Sequence, residues 1–175
     1  MLADDDRTEL GTCRSPAQLH GLAVEWDRLA AGAGLPMLSH DWMAAAATHL
    51  HGGDDLHVIT VRLDGRLAAI APFASVVRGG IRRHVFIGAA ALGEPCGLLY
   101  DSEDALRMLA RAIADQRRPM MLARVPAHMR IAEQMRLAAG GHGIVHERRA
   151  DPTRSVEIHS DWKDYLALLT SQRRY

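Results

Sequence analysis

From Leu19 onward the apolar positions fall on one helical face: Leu19, Leu22, Ala23, Trp26, Leu29 and Ala30 recur at the three-to-four residue period. Ser15 before Pro16 supplies an N-cap and a first-turn proline, and Gly32 and Gly34 stop the run. A second helix is predicted from Ser39, with Trp42, Ala45, Ala46 and Leu50 as its buried stripe and Gly52-Gly53 as its end. Residues 1–14 carry no such period and read as a flexible leader. The period then changes. Leu56 to Leu63 is rich in β-branched residues, Asp64-Gly65 follows, and Arg66 to Val77 is again strongly apolar. Two such runs joined by Asp-Gly predict a β-hairpin. Gly79-Gly80 makes the next turn into Arg83–Ile87, and Gly97–Tyr100 is a further short strand.

Beyond Tyr100 helices and strands alternate. Asp101 or Ser102 caps a helix whose apolar face is Ala105, Leu106, Leu109, Ala110 and Ile113. Met120 to Val125 reads as a strand, and residues from Ala127 to Ala139 as a helix ending at Gly140-Gly141. Ile144-Val145 opens another strand and Val156 to Ile158 one more. Ser160 caps a last helix bearing Trp162, Tyr165, Leu166 and Leu169, which reaches Arg173-Arg174-Tyr175 without a glycine or proline stop. Two readings of that end stay open: a terminal helix that frays, or a helix that leads on into a further domain. The expected fold class is α+β, a mixed and mostly antiparallel sheet flanked by helices.

Composition narrows the function classes. With 175 residues and 48% hydrophobic content the chain can build one sizeable core. Its 21 basic and 21 acidic residues balance, which removes the electrostatic footprint of a nucleic-acid binder or a polybasic membrane-surface protein. Lys163 is the only lysine, an arginine bias that fits a GC-rich bacterial genome. Cys13 and Cys96 are too few and too far apart for a disulfide framework or a zinc site, and two free thiols suit a reducing cytoplasm. The acidic start MLADDDRTEL is unlike a signal peptide, and no apolar run approaches the roughly 20 residues of a membrane span.

The segment Trp26-x-x-Leu29 followed by Leu35-Pro36-Met37-Leu38-Ser39-His40-Asp41-Trp42 resembles the opening of the bacterial CelD/BcsL-like acetyltransferases, also called acetyltransferase-6 proteins. Leu67-Ala68-Ala69-Ile70-Ala71-Pro72-Phe73, Val85-Phe86-Ile87-Gly88 and Ser160-Asp161-Trp162-Lys163-Asp164-Tyr165-Leu166 are similar to later stretches of that family, in the same order. The resemblance implies two GNAT-like domains in tandem. Residues 15–159 would be the first, and the helix of residues 160–175 would lead into the second. It further implies acetyl-CoA or another acyl-CoA as cofactor, bound mainly by that second domain. The implied acceptor is a sugar, amino sugar or amine, with a link to cellulose or exopolysaccharide synthesis. The family's aspartate-bearing loop after the fourth strand is replaced here by Gly88 to Gly97, where Glu94 alone stands near the first aspartate's place.

GNAT enzymes grip the CoA pyrophosphate with consecutive backbone N–H groups at a strand-to-helix turn, usually written Q/R-x-x-G-x-G/A. That pattern is absent: Arg78-Gly79-Gly80-Ile81-Arg82-Arg83 has glycines at other offsets, and Arg136 to Gly141 lies at a helix end. No cofactor-binding residue is therefore assigned. Glu94 and Tyr100, near strand ends, are candidates for proton transfer, since acyl transfer needs a base for the acceptor and an acid for the thiolate. Arg78, Arg82 and Arg83 either meet an anionic substrate or form a solvated hairpin tip. His49 with His51, and His142 with His146, lack the fixed spacing of a metal pair. His40-Asp41 reads as a helix start. Trp26, Trp42 and Trp162 fall on helical stripes and read as core residues. Trp162, Tyr165 and Leu169 are the expected contact with a second domain or a second copy of the chain. Three functional readings follow: an acceptor-side half-enzyme, a non-catalytic GNAT-derived scaffold or interaction module, and a complete enzyme with an atypical CoA loop.

Overall fold

A computed structural model describes residues 8–51, 55–149 and 161–168. The chain is α+β, with a six-stranded mixed, mostly antiparallel sheet flanked by helices. Its centre is the expected hairpin of β2 (Leu56–Leu63) and β3 (Arg66–Arg78). Asp64 and Gly65 both have positive φ, 50° and 76°, as a type I′ turn requires. The same geometry recurs at Gly79 and Gly80, which turn the chain into β4 (Ile81–Phe86). β3 is 13 residues long and carries two successive neighbours on one edge. β4 pairs with its second half, and β5 (Leu99–Tyr100) pairs with Ile70 and Ala69 nearer its start. β6 (Met120–Met121) runs parallel to β4 and completes that side.

The other edge corrects the sequence reading. Residues of the expected leader form β1 (Thr8–Cys13), antiparallel to β2 over six residue pairs. An open edge of β2 would leave a row of unpaired backbone groups, and β1 satisfies them. Gly11 is needed there, because a Cβ would sit 2.6 Å from the Thr60 hydroxyl opposite.

The first helical run is two helices, α1 (Pro16–His20) and α2 (Ala23–Ala33), with Gly21 and Leu22 between them. As expected, Ser15 caps the first, and Gly34 ends the second in the left-handed region. A single 3-10 turn, Pro36–Leu38, leads into α3 (His40–His51). Of the expected stripe of α3 only Ala46 is buried. His40, Met43, Ala44 and Ala47 face the core with it, while Ala45 is exposed, Trp42 is 45% and Leu50 41% exposed, so the buried face is rotated about the helix axis. The first turn fixes this rotation: Asp27 accepts the His40 N–H at 2.8 Å, and the buried His40 ring reaches the Leu19 carbonyl at 3.1 Å. Trp26 is the buried tryptophan, its Nε1–H donating to the Leu38 carbonyl at 2.8 Å. Trp42 and Trp162 are not core residues; Trp162 is 62% exposed.

A short helix, α4 (Ala89–Leu92), follows β4, and α5 (Glu103–Asp115) follows β5. The apolar face expected for α5 is the buried one. The expected strand from Met120 shrinks to β6, because Arg124 turns the chain with a φ of 58°. α6 is shorter than expected, Ile131–Ala139, and residues 143–149, with Ile144 98% exposed, form no strand. The strand expected at Val156 to Ile158 lies outside the described residues, as do Leu169 and the Tyr165 side chain. α7 (Trp162–Leu168) agrees with the sequence reading over its described length, and Asp161 accepts the Lys163 N–H.

β2 and β3 are buried at successive positions, so both faces of the sheet are covered. α2 packs with α3, α5 packs with α6, and both pairs touch the sheet. No described helix is long and apolar enough to cross a membrane.

Candidate functional site

The sheet's one parallel junction organises the residues singled out by sequence. β4 and β6 pair only at His84–Met120 and Val85–Met121, with the His84 N–H on the Pro119 carbonyl at 2.9 Å. Beyond that point the two strands separate. The chain leaves β3 after Ile87, whose N–H still reaches the Pro72 carbonyl, and returns to it only at Leu99. Gly88 and Gly93, at φ 74° and 67°, flank α4 and make this excursion possible. The Gly88 N–H donates to Nε2 of His51 at 3.1 Å, so His51 braces the loop, and burial holds its pKa below the ordinary value.

The returning segment closes the space between the diverging strands. Cys96 donates its N–H to the Arg124 carbonyl at 3.2 Å, and Cys96, Leu98, Met129 and Ile131 are all buried. A Cβ on Gly97 would lie 2.4 Å from the Met129 sulfur, so side chains fill the gap. Burial pushes the Cys96 thiol up to about 11, helped by the Glu94 carboxylate, which leaves no thiolate at neutral pH.

Glu94 and Tyr100 flank this segment, both half-buried, and no hydrogen bond joins them. Burial, and after it the Glu103 carboxylate, raises the Tyr100 pKa above its usual value, so the phenol keeps its proton. Tyr100 therefore has the protonation state of an acid, and Glu94 lies towards Cys96 instead. The three arginines are divided by the hairpin register. Arg78 pairs with Ile81, which puts it on the face of Arg83, while Arg82 points to the other face and meets Asp55 at 3.6 Å.

The strand-to-helix turn from β5 into α5 is the place where a helix N-terminus meets the diverging strands. Ser102 caps it, its hydroxyl accepting from the Ala105 N–H at 3.2 Å. Around the cap stand Asp101, Glu103 and Asp104. Asp101 bridges Arg66 at 3.0 Å and Arg28 at 3.4 Å, Glu103 reaches Arg130 at 4.0 Å, and Asp104 pairs with Arg107. The positive end of the helix dipole is thus already met by the chain's own carboxylates. A pyrophosphate placed there would find one N–H taken by the Ser102 hydroxyl, three carboxylates already paired with arginines and no glycine-lined cradle, so the residues present do not fit the phosphates of an acyl-CoA. Sequence reasoning placed the cap and missed its meaning, although the run Asp101-Ser102-Glu103-Asp104 carried the signal.

Among the described residues no group of three or more His, Cys, Asp or Glu is placed to hold a metal ion. His40 and Asp41 act as a helix start, with Asp41 fully exposed.

No protein-family model matches the chain, and no curated protein is significantly similar to it. Solved structures of low identity are similar over most of its length. A ribosomal-protein-alanine N-acetyltransferase from Brucella melitensis biovar Abortus 2308 is 14% identical, covering 88% of this chain and 100% of its own, with a TM-score of 0.48. An aminoglycoside N-acetyltransferase in complex with CoA is 12% identical over 89% and 100%, with a TM-score of 0.48. A possible acetyltransferase from Clostridium difficile 630 is 12% identical over 87% and 99%, at the same TM-score. At that level of likeness no activity transfers from those proteins to this one.

Proposed function

We propose that the chain is a GNAT-type domain of an acyltransferase that does not itself hold coenzyme A, and that it serves the acceptor side of a catalytic unit completed by a second, acyl-CoA-binding domain. The observation that carries this reading is the acid-lined N-terminus of α5. In GNAT enzymes the strand-to-helix turn presents free N–H groups to the cofactor's pyrophosphate. Here Ser102 occupies a donor and Asp101, Glu103 and Asp104 supply the charge. The packing at Gly97 agrees, since the Met129 and Ile131 side chains lie against the returning segment.

On this reading the domain that begins with β1 is the first of two tandem domains of the CelD/BcsL-like kind, and α7 leads towards the second. Exposure of Trp162 on α7 supports a contact with that domain or with a second copy of the chain. The acceptor is a sugar, amino sugar or amine, and the setting is cellulose or exopolysaccharide synthesis in a bacterial cytoplasm. Tyr100, protonated and half-buried, is the residue of this domain suited to give up a proton, with Glu94 the candidate base. The closed gap equally favours a second reading, a non-catalytic scaffold or interaction module derived from the same fold.

Isothermal titration with acetyl-CoA tests the proposal. The 175-residue chain is expected to give no binding heat at millimolar acetyl-CoA, whereas a protein that joins it to a CoA-binding domain gives saturable binding. Saturable binding by the chain alone overturns the half-enzyme reading. Acyl transfer to an amino sugar by the joined protein, lost on Tyr100→Phe, separates the acceptor-side reading from the scaffold.

A further inference from the structure

Far from the acid-lined turn, at the opposite end of β3, two histidines are buried face to face. The rings of His57 on β2 and His84 on β4 lie 4.3 Å apart and 9° from parallel, and Phe73 continues the stack beyond His84. The register produces this arrangement. His57 pairs with Phe73, and Ser75, two residues further on the same face, pairs with His84. Both histidines are at least 95% buried. The Ser75 hydroxyl lies 3.2 Å from Nδ1 of His84, and a neutral ring that accepts a proton bond there carries its own proton on Nε2. Yet Nε2 of His84 has no hydrogen-bond partner, and neither has Nε2 of His57. Buried polar atoms in native proteins find partners, so two neighbouring orphans mark the place of a missing acceptor.

The groups around the pair give that acceptor a sign. β1 ends with Cys13 opposite Val58, which brings Arg14 beside His57. Pro119, whose carbonyl holds the His84 N–H, brings Arg118 beside His84. Gln116, past the C-terminal end of α5, stands within side-chain hydrogen-bond reach of the His57 ring, so His84 is the ring of the pair with no partner for Nε2 from any side. Arg14 and Arg118 are exposed, and neither meets a carboxylate among the described residues. Asp55, just before β2, is engaged with Arg82. Burial, and after it neighbouring positive charge, favours the neutral form of both rings, so the site sets ring nitrogens without partners beside two guanidinium groups, while Asp55 is drawn off to Arg82.

We propose that this cluster binds a phosphate-type oxyanion, held by Nε2 of His57 and His84 and closed over by the guanidinium groups of Arg14 and Arg118. A tetrahedral oxyanion presents acceptor oxygens in several directions, which suits donors arriving from β1, β2, β4 and the segment before β6. A cation is refused by the same charges. A lone buried water satisfies the two nitrogens but leaves both arginines without a counter-ion.

Histidine ring spectra of the whole chain test this. Inorganic phosphate is titrated against chloride at equal ionic strength, following the Nε2–Cε1 resonances of His57 and His84. The expected result is a saturable shift with phosphate alone, weakened about tenfold or more by the double substitution Arg14→Ala and Arg118→Ala at exposed positions. Methyl phosphate added in parallel tells the source of the ligand: an equal shift places a phosphomonoester of a larger molecule in the site, and no shift leaves the free ion. Shifts that chloride reproduces, or that the double variant leaves undiminished, overturn the proposal, and unmoved resonances show a buried water only.

Discussion

Acidification is the most informative perturbation of this fold, and its effect follows from His84. Burial, then the neighbouring His57, Arg118 and Arg14, depress the His84 pKa from 6.5 to about 4. Between those values the unfolded chain takes up a proton that the folded chain refuses, so stability falls as pH falls. It is fully present above the unfolded value of 6.5 and is lost progressively down to about 4. At 1.36 kcal/mol for each unit, the full loss is on the order of 3 kcal/mol, and about 2 kcal/mol has gone by about pH 5. His57 and His51, also depressed by burial, add to the loss with the same sign. The Glu25 carboxyl is held below its ordinary 4.5 chiefly by the hydrogen bond from Arg62, so its own contribution to stability is lost only under more acidic conditions than the range from about 7.5 to about 5. Urea unfolding at a series of pH values from about 7.5 to about 5, in buffers free of phosphate, gives the slope. His84→Asn keeps an amide near the Ser75 hydroxyl and removes the titration. The variant is expected to lose roughly 2 kcal/mol less than the parent over that range. Equal losses in parent and variant would refute the reasoning, because they would show that His84 is solvated and titrates normally in the fold.

Two further substitutions probe how the helices are fastened to the sheet. Glu25 on α2 receives two bonds from Arg62, at 2.9 and 2.6 Å, and one from the Leu67 N–H at 3.0 Å, so it ties α2 to both strands of the central hairpin. Both charged side chains are about one-third exposed, and Glu25→Ala is expected to cost only about 1 to 2 kcal/mol in urea unfolding, with Glu25→Gln costing less. Trp26→Phe removes the Nε1 donor from the buried Leu38 carbonyl and leaves a small void. It should cost about 2 to 3 kcal/mol, and a loss below about 1 kcal/mol would mean that the 3-10 turn moves to find another donor.

The sheet's centre was legible because its signals are local. Asp64-Gly65 and Gly79-Gly80 specify type I′ turns whatever lies elsewhere, and a continuous apolar run, buried on both faces, fills β3 between them. Ser15, Ser102 and Gly34 marked helix ends for the same reason. What failed depended on partners distant in sequence. β1 is a strand because β2 offers it an edge, which nothing in Thr8–Cys13 announces. The rotation of α3 is set by Asp27 and Leu19, 13 and 21 residues away from His40. Trp42 looked buried only because a stripe was drawn through it. The candidate site divides in the same way. The missing glycine loop was readable as a missing pattern, and the carboxylates around Ser102 were in view without their three-dimensional meaning. The histidine pair was invisible, since His57 and His84 are 27 residues apart and meet only through the β2–β3–β4 register.

That long central strand also bears on the order of assembly. β3 finds β2 and β4 through turns of two residues, so both pairings close small loops and belong to the early, fast part of folding. β6 reaches β4 only after the excursion, β5 and all of α5 have been laid down, and it is fastened by two residue pairs. The parallel edge is therefore the late-forming part of the sheet and the first to open in the native state. Amide exchange should be fastest there, at Met120 and Met121, and slowest along Ala69 to Phe73. An opening of that edge lifts Arg118 away from His84, which makes it a route by which an ion from solvent reaches two nitrogens that are otherwise sealed.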